Sequence, residues 1–130
     1  MNIPNKHQPL IKGEIANYYF DEEGILYSYS NGIKRTVENI GNNVDLVKKI
    51  TKSKPVPLLI YLKNSPIPDK ATRKFSTEKL PEIYSAMAMV SKLALSKLIM
   101  NILFKLNTPP IPMKSFTNDL DAKDWLKQFL

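Results

Sequence analysis

Residues 56–62, Val-Pro-Leu-Leu-Ile-Tyr-Leu, restrict the fold of this chain more than any other segment. The run is almost continuously apolar, short for a helix, and has Pro55 and Pro57 at its entrance. Such a run reads as a strand buried on both faces, as in a parallel or mixed sheet covered by helices. The surrounding sequence must then supply those helices.

It does. Thr36 is placed to cap a helix in which Val37, Ile40, Val44 and Val47 recur at helical spacing as far as Ile50. Asp69 is placed to cap a second, with Ala71 and Phe75 inward and Pro81 as its stop. Ser91 opens a third over residues 92–106, and Asn118 a fourth in which Ala122, Trp125, Leu126 and Phe129 share one face. Alternating residues 14–20 and 25–30, joined by Asp21-Glu22-Glu23-Gly24, predict a β-hairpin. Residues 83–90 and 113–116 complete the strands. The expectation is an α/β fold across residues 1–130 behind a loose leader of residues 1–10. One mixed sheet of about five strands opens with a hairpin and is flanked by about four helices.

Composition removes several functions. With no cysteine there is no disulfide scaffold, thiolate nucleophile or thiolate metal site, and the single histidine, His7, lies in the polar leader. No metal or cofactor is expected. Only four glycines occur, and they are scattered, so no glycine-rich phosphate loop exists. Glu22 and Glu23 are neighbours on a turn, which does not make a facing acid–base pair. The apolar run 93–106 is interrupted by Lys97, Asn101 and Lys105, too short and too charged to span a membrane. The start of the chain is polar, and a cytoplasmic bacterial protein that is not an enzyme is expected. Residues 48–105 hold 12 basic residues against Asp69, Glu78 and Glu82, but 17 of the 19 basic residues overall are lysine. Base readout and bidentate phosphate clamps favour arginine, so a solvated basic surface is expected rather than a nucleic-acid site. Tyr18, Tyr19, Phe20, Tyr27 and Tyr29 could form a base-stacking platform, although alternation assigns about half of them to the core.

The hairpin Asp21-Glu22-Glu23-Gly24-Ile25-Leu26-Tyr27, the strand 56–62 followed by a loop and Arg73, and the closing Ile111-Pro112-Met113-Lys114-Ser115-Phe116-Thr117 with Ala122, Trp125 and Leu126 together form a pattern. It resembles uncharacterised bacterial proteins with a STAS-like fold, related to anti-sigma-factor antagonists and distantly to CRAL-TRIO lipid-binding domains. The resemblance spans roughly residues 11–130 and implies a regulatory module that acts through protein contacts. In the antagonists a serine or threonine at the start of the helix after the central strand is phosphorylated. The corresponding segment, 64–72, contains Ser65 and Thr72, with Lys63, Lys70 and Arg73 nearby to stabilise a phosphate. Tyr61-Leu62-Lys63-Asn64 stands where the family carries an aspartate-containing signature. The same two hydroxyls also suit plain loop and helix-cap roles.

The segment 92–106 is more apolar than one buried face requires. Met100 and Phe104 share a flank four residues apart, which marks either a surface for a partner or a second copy in a homodimer, or a side chain pair buried under the loop 108–112. A different class of function, a small lipid- or ligand-binding domain gated by that helix and the proline loop, stands as the alternative.

Overall fold

A computed structural model describes residues 10–91 and 109–130. Six strands form one sheet in sequential order: β1 (Ile11–Lys12), β2 (Ala16–Phe20), β3 (Leu26–Ser30), β4 (Val56–Tyr61), β5 (Tyr84–Val90) and β6 (Met113–Phe116). The first three are antiparallel neighbours, and β3 through β6 run parallel. Three α-helices are present among the described residues: α1 (Val37–Thr51), α2 (Lys70–Ile83) and α3 (Asp119–Leu126). The expected helix over 92–106, with Met100 and Phe104, lies outside the described residues.

The sheet therefore has one strand more than expected. The additional one, β1, is a two-residue edge strand pairing Ile11 with Tyr18 and Lys12 with Asn17. Two residues carry no detectable alternation, which is why the sequence does not announce it. The chain is also ordered into the sheet just past the expected leader.

Successive parallel strands laid side by side, joined by crossovers of one hand, put their helices on the same face. Accordingly α1 and α2 cover one face of the sheet through Ile40, Val44, Val47, Leu80 and Ile83, against Tyr18, Leu26, Leu58, Ile60, Met87 and Met89. The opposite face packs Tyr19, Tyr27, Leu59, Tyr61, Ala86 and Ala88 against Ala122 and Leu126 of α3. The central run is thus buried on both sides, all six residues of β4 included. Ala86 and Ala88 are the low points in the sheet that let α3 approach closely.

Two helix expectations are corrected. The second helix does not stop before Pro81 but continues through it to Ile83. Proline in the last turn removes only one intrahelical donor, and the helix ends two residues later. The longer helix turns Thr72, Leu80 and Ile83 inward and leaves Ala71 exposed, with Phe75 half-buried. On α1, Val37 is exposed, whereas Asn39 and Ile40 of the same turn are buried.

Pro57 sits inside β4 without an N–H for the ladder. The register slips by one residue here, Val56 pairing with Tyr84 and Pro57 with Ala86, so that Ser85 is the extra residue of a bulge. Proline in sheets is confined to such irregular positions. The bulge resets the alternation of β5 and swings Tyr84 onto the α1–α2 side, where it joins Met87 and Met89 in one core.

Candidate functional site

The parallel strands all end on one edge of the sheet, and α1, α2 and α3 all begin there. In open α/β sheets this carboxyl edge is where ligands and partners are met. Two loops dominate it: residues 31–36, between β3 and α1, and residues 62–69, between β4 and α2. They touch at Gly32, whose φ is +80° and whose Cβ position lies 2.8 Å from the carbonyl oxygen of Asn64.

Each helix start is built by its own cap. Thr36 and Asn39 form a reciprocal box, the Asn39 N–H donating to Thr36 Oγ1 (3.1 Å) and the Thr36 N–H to Asn39 Oδ1 (2.8 Å). At α2, Asp69 Oδ1 accepts from the Thr72 N–H at 2.8 Å. The Thr72 donors hold the Asp69 carboxyl below its ordinary range, and Lys34 and Arg73 add to the effect. Asn118 caps α3 through the Asp121 N–H.

The five residues singled out by sequence around this loop occupy different situations. Ser65 is exposed in the 62–69 loop. Thr72 is 4% exposed, and its side chain is engaged with Asp69. Its hydroxyl is a cap group facing inward. Lys63 is exposed, with its stem beside Gly32, and Lys70 is exposed at the first position of α2. Arg73 bends back on the loop, donating from Nη1 to the Pro68 carbonyl at 2.6 Å. It acts as a clasp for the loop that carries Ser65.

Sequence reasoning missed the apolar content of this edge. Among the described residues six large hydrophobic side chains are exposed, and three lie on the two loops and the adjoining first residue of α1: Ile33 (42%), Val37 (44%) and Ile67 (54%). Val37 belongs by spacing to the apolar stripe of α1, and Ile33 and Ile67 are single apolar residues among polar and proline neighbours, so no periodicity marks them.

Between the sheet and the helices α1 and α2 lies a cavity of about 50 Å³. Tyr18 donates its hydroxyl to Asn43 Oδ1 at 2.6 Å inside the core. Tyr84 and Ser28 interact with the same phenol, and the charge of Arg35 is felt by both tyrosines. Burial pushes both phenols above their ordinary pKa, so they stay neutral. The sequence signal for this cluster was Asn43, a polar residue one position before Val44 on the buried stripe of α1. Read alone, it looks only like a weak helix former.

On the α3 side, Tyr61 donates to Asp119 Oδ2 at 2.9 Å and stacks on Tyr29 with ring centres 4.8 Å apart. Glu23 meets Lys123 at 3.2 Å, and Glu22 is exposed on the hairpin turn. No helix among the described residues is long and apolar enough to cross a membrane.

A mixed sheet in sequential order with helices on both faces is the architecture of a STAS-like fold. The crystal structure of an uncharacterized protein of the DUF3478 family from Shewanella loihica PV-4, described as having a SpoIIAA-like fold, superimposes with a TM-score of 0.61. The match covers 94% of this chain and 98% of that one at 16% identity. The chain belongs to the family described as a domain of unknown function, DUF7793, whose model matches residues 18–130. No curated protein is significantly similar to it.

Proposed function

We propose that this domain is a non-enzymatic cytoplasmic interaction module whose recognition surface is the paired 31–36 and 62–69 loops, with Ser65 as a regulatory phosphoacceptor. The observation that carries this reading is the exposure of Ile33 and Ile67 on adjoining loops and of Val37 at the start of α1, with Lys34, Lys63 and Lys70 exposed on the same segments. Exposed apolar side chains ringed by charge characterise surfaces that are covered by a partner. A phosphate on Ser65 would enter beside those lysines and the start of α2, adding negative charge in the middle of the surface. Thr72, inward and engaged with Asp69, serves the fold.

The test is affinity capture with the wild-type domain and two variants, identified by mass spectrometry. A specific partner should be retained by Leu120→Asp, which changes an exposed leucine of α3, and lost by Ile67→Asp. Equal capture by all three proteins counts against the loops as the surface. Phosphopeptide mapping of protein from its own host should place phosphate on Ser65, and a persistently unmodified peptide removes the switch. Self-association through the flank of Met100 and Phe104 belongs to the same reading. Light scattering across concentration checks it, a strict monomer at high micromolar arguing against it.

The alternative, a small-ligand domain, draws support from the cavity under α1 and α2. At about 50 Å³ it falls well below the ~300–1,000 Å³ of drug-sized sites, so a lipid chain does not fit it as it stands.

A further inference from the structure

We propose that the cavity between the sheet and helices α1 and α2 is a binding site for a small organic monoanion, a short-chain carboxylate, held by Arg35 at its rim. This is independent of the loop surface and of Ser65.

The charge arithmetic comes first. Among the described residues, Lys48 and Lys79 share Glu82, and Lys123 pairs with Glu23. Lys79 and Arg35 both border the cavity; Lys79 is held by Glu82, whereas Arg35, half-buried, has no carboxylate partner there and makes one long hydrogen bond, 3.4 Å to Ser30 Oγ. A guanidinium presents five donors in a planar fork that matches a carboxylate bidentately. One cation at the cavity without an acidic partner suits a monoanion better than a phosphate dianion.

The walls are divided to match. One side is polar: Tyr18, Ser28, Asn43 and Tyr84, all buried and mutually bonded. With their phenols kept protonated, this side holds dipoles without negative charge, so nothing in it repels an anion. The helices contribute Ile40, Val44 and Leu80, which fit a short alkyl tail, alongside Ser76 and Lys79 of α2. The aim of Tyr84 into this space comes from the bulge at Ser85, a device that elsewhere re-aims side chains next to sites.

Size sets the class of ligand. A water needs about 10–15 Å³ of such space, so the cavity has room for about four small atoms. Acetate and propionate match, and hexanoate does not.

The experiment is an NMR titration of the isotopically labelled wild-type domain with sodium acetate, propionate, butyrate and hexanoate, with sodium chloride at matched ionic strength as the reference. Acetate and propionate should produce saturable shifts at the Arg35 Nε–H and Asn43 side-chain amide signals, chloride and hexanoate should not, and Arg35→Gln should weaken binding at least tenfold. Arg35 is half exposed, so this variant retains the fold, and the spectrum itself reports whether it does. Three results each overturn the proposal: no saturable shift with any acid, equal binding of hexanoate and propionate, or unchanged affinity in Arg35→Gln. The acid series on wild-type protein decides the matter even without the variant.

Discussion

At the scale of single residues, the two loops at the carboxyl edge of the sheet meet through the absence of a side chain. Gly32 has a left-handed backbone, and a Cβ there would press against a backbone oxygen of the neighbouring loop at 2.8 Å. Gly32→Ala should cost about 1–3 kcal/mol of stability in urea denaturation and displace the 62–69 loop. Gly41 gives the opposite result. It lies within α1, and an added Cβ would make ordinary contact with Phe75 at 3.9 Å. Gly41→Ala should therefore stabilise the domain by about 0.5–1 kcal/mol, since alanine is the better helix former. In the core, Tyr18→Phe leaves Asn43 Oδ1 without its 2.6 Å donor. An orphaned buried acceptor costs about 1–3 kcal/mol, and equilibrium unfolding should show a loss of that size with native circular dichroism retained.

At the scale of elements, α3 shows how far local sequence reaches. Its cap and its inward face were legible because Asn118 is a strong N-cap and Ala122 and Leu126 repeat at helical spacing. The strand β4 was legible because seven apolar residues between turn signals admit few other readings. The length of α2 was not, since proline is a breaker in the helix interior yet harmless in the last turn, and sequence does not say which turn is last. Nor was the orientation of Tyr84, which depends on a bulge forced from the neighbouring strand by Pro57. The cavity was invisible for the same reason: its polar wall comes from β2, β3, β5 and α1, and only pairing brings them together. The seating of α3 makes its own prediction. Ala122 is fully buried in one cluster with Ala86 and Ala88. Ala122→Leu should destabilise by about 1–3 kcal/mol through overpacking. It should also change the near-ultraviolet dichroism of Trp125, which packs edge-on to Phe129 at 4.9 Å on the same helix and its extension.

At the scale of the whole molecule, both cores are built around phenols, and this ties stability to alkaline pH. Burial is the main cause that raises Tyr18 and Tyr84 on one face and Tyr27, Tyr29 and Tyr61 on the other. Tyr29 is pushed from 10.0 to about 12 by burial and then by the charge of Asp119. Tyr61 is raised further, because its hydroxyl donates to that same carboxylate as well as being buried. The folded chain thus keeps protons that the unfolded chain releases near pH 10. Where the native state binds more protons, stability falls as pH rises. The contribution of Tyr29 is complete below pH 10 and disappears between pH 10 and about 12, and the other phenols extend the loss higher. Urea melts should show little change up to pH 9 and a steep decline from pH 10 onward. Tyrosinate absorbance at 295 nm should then rise together with the loss of far-ultraviolet dichroism. Tyr61→Phe should make the decline shallower by about one proton, because one buried hydroxyl no longer distinguishes the two states. Free titration of these five tyrosines near pH 10 with the fold intact would show that water reaches their hydroxyls, and the account of two closed aromatic faces would fail.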